Sequence, residues 1–166
     1  MLTELYWIDG PWPGKLAISA RPRGGDWLED EMRGWRRNGI DTVVSLLTPA
    51  EMEDLALQDE ARHSNEHGLR FLSLPIEDRS VPRSEAEVFQ LLEQLERELA
   101  QGRNVVVHCR QGVGRSGLIA ASLLIARGVS PTEAMQRISA ARGVPVPETA
   151  EQHAWITTVT MPSKTA

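Results

Sequence analysis

Val105-Val106-Val107 is a run of β-branched residues with no polar alternation, a pattern that suits a strand covered on both faces. Beyond the turn that follows, Leu118 to Ala126 is apolar nearly all round and reads as a buried helix of the same interior. A chain carrying both must build a central sheet with helices packed on each side.

Helix starts punctuate the rest of the chain. A capping box, an oxygen side chain followed three residues later by Glu, stands at Asp26/Glu29, Thr48/Glu51, Ser84/Glu87 and Ser130/Glu133. Pro49 and Pro131 occupy first helical positions, where a missing N–H does no harm. The helix from Ser84 carries Val88, Leu91, Leu92, Leu95 and Leu99 on one stripe, with Glu93, Gln94, Arg97 and Glu98 toward water, and ends near Gly102. Between helices lie apolar runs, Lys15 to Ser19, Ile40 to Leu47, Leu69 to Leu74 and Asn104 to His108, that read as strands. Tyr6-Trp7-Ile8 faces Lys15 to Ser19 across a Pro/Gly-rich turn, a hairpin over about residues 5–20. After Gly128 two helices follow one another, Pro131 to about Arg142 and Glu148 to about Val159, and the tail 161–166 is expected to fray. The fold class expected is an α/β three-layer sandwich with a mostly parallel sheet, forming a single domain over 1–166. Ligands should then sit at the carboxyl ends of the strands.

Composition narrows the function classes. With 41% hydrophobic and 25% charged residues in 166, the chain is of ordinary globular character, and no apolar run is long enough for an integral membrane span. A net charge of −5 disfavours nucleic acid and anionic membrane surfaces as partners, so any anion must be held locally. The first residues show neither a basic nor an apolar leader region, so a cytoplasmic location is expected. Cys109 is the only cysteine, which excludes an internal disulfide and a multi-cysteine zinc site.

The chemistry-bearing stretch is His108-Cys109-Arg110-Gln111-Gly112-Val113-Gly114-Arg115-Ser116-Gly117, between the two most buried elements. A Gly-rich turn feeding a helix N-terminus aims backbone N–H groups at one point and adds the partial charge of the helix dipole. Cys109 stands at the lip of this anion cradle, and Arg115 supplies a planar fork suited to phosphate. The same donors favour the thiolate, which is the nucleophile. Other readings of these residues are weaker. Cys109 as an inert buried thiol leaves the Gly, Arg and Ser spacing unexplained. Gly112 to Gly117 satisfies G-x-G-x-x-G, but the dinucleotide fold requires a further strand with an acidic end, where Ser130-Pro131 starts a helix. A nucleotide P-loop needs Lys where Arg115 stands.

The motif His-Cys, five residues, Arg, Ser resembles that of the cysteine-dependent protein tyrosine and dual-specificity phosphatases. Leu74-Pro75-Ile76-Glu77-Asp78-Arg79-Ser80-Val81-Pro82 is similar to the general-acid loop of their small, kinase-associated phosphatase-like members. The resemblance runs from Gly14 to Gln152 and implies a phosphate monoester hydrolase, tyrosine-directed or of dual specificity, working through a cysteinyl phosphate without metal or other cofactor. It implies Cys109 as nucleophile and Arg115 as phosphoryl clamp. Ser116 would assist the sulfur as leaving group, a helix-start cap being its alternative use, and Asp78 would be the general acid, with Glu77 as rival. Arg110, Gln111, Gly112, Val113, Gly114 and Arg115 form the substrate-binding loop. His108 would orient that loop from beneath, and Gln152 matches the water-positioning glutamine of some relatives, although a helical glutamine is ordinarily solvated. The expected partner is a phosphorylated protein or peptide, or an inositol phosphate if Arg110 selects a multiply charged substrate, and the chain is taken as a monomer. A rhodanese-type sulfurtransferase would leave the Asp78 region idle, and a phosphopeptide-binding pseudophosphatase would not need Cys109, Arg115 and Asp78 intact.

Elsewhere, His63 and His67 have the spacing of two metal ligands, but a third is not evident. Trp7, Trp12, Trp27 and Trp35 are expected to serve core and hairpin packing. Arg79, Arg83 and Arg110 lie in or beside the proposed catalytic loops and would make the mouth basic, with an ordinary surface charge as the alternative for Arg83.

Overall fold

A computed structural model describes residues 2–159, so the expected frayed tail lies outside the described residues. In chain order the elements are β1 (Tyr6–Ile8), β2 (Leu16–Ser19), α1 (Leu28–Arg37), β3 (Thr42–Ser45), α2 (Pro49–Asp54), α3 (Glu60–Glu66), β4 (Arg70–Ser73), α4 (Glu85–Ala100), β5 (Val105–His108), α5 (Gly114–Ala126), α6 (Pro131–Arg142) and α7 (Ala150–Thr158). The sheet has five strands in the order β1-β2-β5-β3-β4. Only β1 runs antiparallel, pairing Trp7 with Ala17 in the expected hairpin, while β2, β5, β3 and β4 are parallel.

β5 is central, and its valines divide between two cores. Val105 and Val107 join Leu16, Ile18 and Val44 in a core that also contains Val88, Leu92 and Leu95 of α4 and Leu118, Ile119 and Leu123 of α5. Val106 faces the other way, into a core of Ala17, Val43, Leu28, Met32 and Trp35. Two apolar faces on one strand account for the missing polar alternation. Among the described residues no helix is long and apolar enough to cross a membrane.

Several local expectations change. The Asp26/Glu29 box does not form. The chain enters α1 through a short 3-10 turn, Gly25–Trp27, with Trp27 at the N-cap and no side-chain cap bond. The cause is non-local, because Gly24 packs so closely on Leu55 that a Cβ there would lie 2.0 Å from its carbonyl oxygen. Thr48/Glu51 forms the complete box, whereas Ser84 and Ser130 each accept only the N3 amide. α7 begins at Ala150 rather than Glu148, capped by Thr149 and Gln152. Trp12 and Trp35 are buried as expected, but Trp7 and Trp27 are 40% and 57% exposed, so packing does not explain them. The Trp27 ring instead lies under the Arg23 guanidinium at 4.7 Å.

Candidate active site

The segment between β5 and α5 is held from outside by its carbonyls. Arg21 N–H donates to Arg110 O at 3.3 Å, Arg142 Nη2 donates to Gln111 O and its Nε to Gly112 O, both at 3.2 Å. In a trans peptide the N–H points opposite to the C=O of the same unit, so anchoring these carbonyls outward turns the following amides of Gln111, Gly112 and Val113 inward. Gly112 makes the turn possible: its φ is +72°, and a Cβ would lie 2.5 Å from the Ser19 carbonyl carbon. The helix that follows starts at Gly114, four residues before the expected Leu118, and its N-cap is Val113. Ser116 is therefore not a cap.

Inside this loop Cys109 is buried, and its thiol donates to Ser116 Oγ at 3.3 Å. Arg115 is 1% exposed. Its Nη1 donates to Glu51 Oε1 at 2.7 Å and to Ile76 O at 2.7 Å, and its Nη2 donates to Glu51 Oε2 and Asp78 Oδ1, each at 3.0 Å. Such a paired, bidentate arrangement is what a buried guanidinium requires. Burial works against its charge, but hydrogen bonding to Glu51 and the nearby Cys109, Glu51 and Asp78 charges outweigh it and raise the Arg115 pKa. Glu51 is likewise pushed up by burial and pulled down further by hydrogen bonds from Arg115 and Thr48, with Arg110 adding to them, to about 2.

A cavity of about 60 Å³ opens on this group, lined by Asp78, Arg79, Cys109, Gln111, Gly114, Arg115 and Glu148. Thiol, guanidinium and carboxyl thus meet at the carboxyl end of the central strand, where a parallel sheet presents its ligands. A sulfur nucleophile, an oxyanion clamp and a proton donor are the three parts needed to transfer a phosphoryl group to sulfur.

The family profile of Tc-R-P, a DSP-PTPase phosphatase of polymorphic toxin systems, matches residues 18–129. The chain belongs to this DSP-PTPase family. It is 29% identical over 120 residues to cyclin-dependent kinase inhibitor 3 of Sus scrofa, across 71% of this chain and 56% of that protein. The chain thus spans little more than half the length of that relative. Kinase-associated phosphatase carrying a serine at its catalytic-site cysteine superposes with a TM-score of 0.85 at 21% identity, over 94% of this chain and 93% of that one, a likeness of fold. Tk-PTP in its active form gives a TM-score of 0.73 at 29% identity, over 90% of this chain and 91% of that one.

The DSP-PTPase loop does not gather every residue singled out by sequence. Asp78 faces the cavity, whereas the adjacent Glu77 is exposed and lies 3.8 Å from Arg83 Nη2. Arg110 does not line the cavity; its Nε donates at 3.3 Å to Glu51, the carboxylate that also holds Arg115. Arg79 does line it, with φ +61° and its Nη1 3.4 Å from Glu148. His108 is fully buried on the opposite face of the sheet, 6.0 Å from the Trp35 ring, with Nε2 2.6 Å from Glu60 Oε2. Its hydrogen-bond partner is α3 rather than the loop above it. Gln152 is also fully buried, so the alternative of an ordinary solvated helix side chain does not hold. His63 and His67 turn to different carboxylates, Glu66 and Glu29.

Glu51, Arg142 and Glu148 were not visible as site residues. Glu51 already had a local explanation as half of a capping box, and it reaches Arg115 across 64 positions of sequence. A buried arginine demands a carboxylate, but that demand alone does not say which.

Proposed function

We propose that this chain is a cysteine-dependent protein phosphatase that hydrolyses phosphotyrosine, and phosphoserine or phosphothreonine, through a cysteinyl phosphate. The observation that carries the reading is that Cys109, Arg115 and Asp78 line one small cavity, on a chain of the DSP-PTPase family.

In the first step Cys109 Sγ attacks phosphorus, and an S–P bond forms as the P–O bond to the leaving group breaks. Asp78 gives its proton to the departing oxygen, which prevents release of an unstabilised alkoxide or phenoxide. Arg115, fixed by Glu51, donates to the equatorial phosphoryl oxygens, with the inward amides of the loop beside it. In the second step water attacks the phosphocysteine and returns a proton to Asp78, while the S–P electron pair goes back to sulfur. Ser116 Oγ, 3.3 Å from that sulfur, can then donate to the leaving thiolate. The products are the alcohol or phenol and inorganic phosphate, so protons and electrons balance over the cycle. The chain acts on a phosphorylated protein or peptide as a cytoplasmic monomer, with residues 1–166 as one phosphatase unit.

Rapid-quench mass spectrometry during turnover of an aryl phosphate should find the phosphoryl group on Cys109. Cys109→Ser should abolish turnover, and chelators should not. Comparing kcat/KM for phosphotyrosine, phosphoserine and phosphothreonine peptides with phosphoinositides sets the substrate class. Turnover that survives loss of the thiol would rule out the mechanism.

A further inference from the structure

Three polar contacts join the segment around Asp78 to the N-terminal end of α7, and one of them is made by a side chain with no solvent exposure. Gln152 Nε2 donates to the carbonyl of Ser80 at 3.0 Å, two residues beyond Asp78. Gln152 Oε1 accepts the N–H groups of Glu148 and Thr149, each at 3.2 Å. The same amide packs on the first residue of α5, since a Cβ at Gly114 would lie 2.7 Å from Gln152 Oε1. One buried side chain therefore touches the segment carrying Asp78, the cap of α7 and the residue next to Arg115. The other two contacts, Ser80 Oγ to Glu151 and Arg79 to Glu148, are 3.4 Å long and more exposed. Pairs of that kind hold little by themselves.

We propose that Gln152 is a positioning residue for Asp78, latching the Pro75–Pro82 loop to α7 so that the carboxyl stays over the cavity. The proposal rests on the phosphatase reading above. Its physical basis is the buried amide: Gln152 Nε2 donates to the Ser80 carbonyl, so moving the loop away breaks a hydrogen bond made by a fully buried side chain. The loop is thereby biased toward the position in which Asp78 reaches Arg115. A water-positioning role fits this geometry poorly, because the amide oxygen is already used twice and the side chain does not line the cavity.

Gln152→Glu removes the donor of the latch while keeping an acceptor for the cap of α7. A carboxylate still accepts the Glu148 and Thr149 amides, and Thr-x-x-Glu is the usual form of the capping box, but the donor to Ser80 is gone. Melting temperature and circular dichroism monitor folding. Turnover is then compared for an aryl phosphate with a strongly acidic phenol and for an alkyl phosphate, in the wild-type and Asp78→Asn backgrounds. The latch predicts a loss of roughly ten-fold on the alkyl phosphate, little change on the aryl one, and no further loss on top of Asp78→Asn. Gln152→Met, without donor or acceptor, should show the same leaving-group pattern at a lower melting temperature. Equal slowing of both substrates, additive with Asp78→Asn, would leave Gln152 as a helix cap alone and overturn the proposal. A burst followed by accumulated phosphocysteine, with unchanged leaving-group dependence, would overturn it in favour of water positioning. If Asp78→Asn itself spares the alkyl phosphate, the acid assignment fails and the latch falls with it. If Asp78→Asn acts as expected and both Gln152 variants behave as wild type, the latch alone fails.

Discussion

Arg115 Nη2 and Asp78 Oδ1 lie 3.0 Å apart, so the guanidinium assigned to the phosphoryl group also holds the carboxyl assigned to the leaving group. A phosphoryl dianion and an ionised Asp78 compete for the same donor. Protonation of Asp78 resolves the competition, because it weakens the pull on Arg115 and supplies the proton that the first step consumes.

Asp78→Asn should therefore have two effects of opposite sign. Turnover of alkyl and unactivated aryl phosphates should fall by about 10² to 10⁴, and the basic limb of the kcat profile should flatten. Affinity for tungstate or phosphate as inhibitors should rise, since a charged competitor has been removed. Glu77→Gln should do neither, because Glu77 faces solvent near Arg83. Exchange of the two phenotypes in a leaving-group series would move the acid to Glu77.

The cradle should bind anions without its sulfur. Cys109→Ser is expected to keep the rise in melting temperature produced by phosphate, vanadate or tungstate, since an anion that binds only the folded state stabilises by mass action. Arg115→Lys keeps the charge but cannot hold both Glu51 oxygens and an oxyanion in one plane, so most of the rise should vanish. An undiminished shift in the lysine variant would place anion recognition on the backbone alone.

What could be read from sequence was governed by local physics. The Val105 run, the Val88 to Leu99 stripe and the Thr48 cap follow from periodicity and capping within a few residues and occur where expected. Glu98, which the same periodicity places toward water, is instead buried and accepts from Thr42 Oγ1. The Asp26 box failed because Gly24 and Gly25 are committed to Leu55 and Ala56, a contact no local pattern announces. At the site, the loop from Cys109 to Ser116 is contiguous and so was legible. Its supports Glu51 and Arg142 lie 64 and 30 positions from the loop residues they hold, and the tie between Gln152 and Ser80 spans 72. Glu51 was doubly hidden, since it also completes a capping box that accounts for its identity, whereas Gln152 was singled out but its tie to Ser80 was not.

Gly112 offers a test of the loop backbone against a matched control. Its φ of +72° is unfavourable for any residue with a Cβ, and an added methyl would press on the Ser19 and Ala20 backbone at 2.5 to 2.6 Å. Gly128 has φ +94° but nothing within 4 Å. Both Gly→Ala changes should cost about 1 to 2 kcal/mol for the left-handed backbone. Gly112→Ala should in addition displace the inward amides and lower kcat/KM by at least about ten-fold, while Gly128→Ala leaves kcat/KM unchanged. Equal activity in the two variants would show that the loop tolerates displacement from β2.

Glu51 makes the acid stability of the fold depend on the clamp. Its carboxylate receives Arg115 at 2.7 and 3.0 Å and Arg110 at 3.3 Å. Burial opposes ionisation, but these donors and the Thr48 amide prevail and bring the pKa from 4.5 to about 2. Since the folded value lies below the unfolded one, the folded state binds fewer protons between them. The stabilisation is thus complete above about pH 4.5 and is lost as pH falls toward 2. Glu51→Gln should destabilise the protein at pH 7 by roughly 2 to 3 kcal/mol, partly because a buried Arg115 loses its countercharge. Urea melts at pH 7, 4 and 3 should show the gap between wild type and variant narrowing with acid. Activity should fall with stability, because Glu51 aligns the guanidinium proposed to meet the phosphoryl oxygens. A gap that stays constant or widens as the pH falls would mean that Glu51 is not the ionised partner of Arg115, and the clamp would need another anchor.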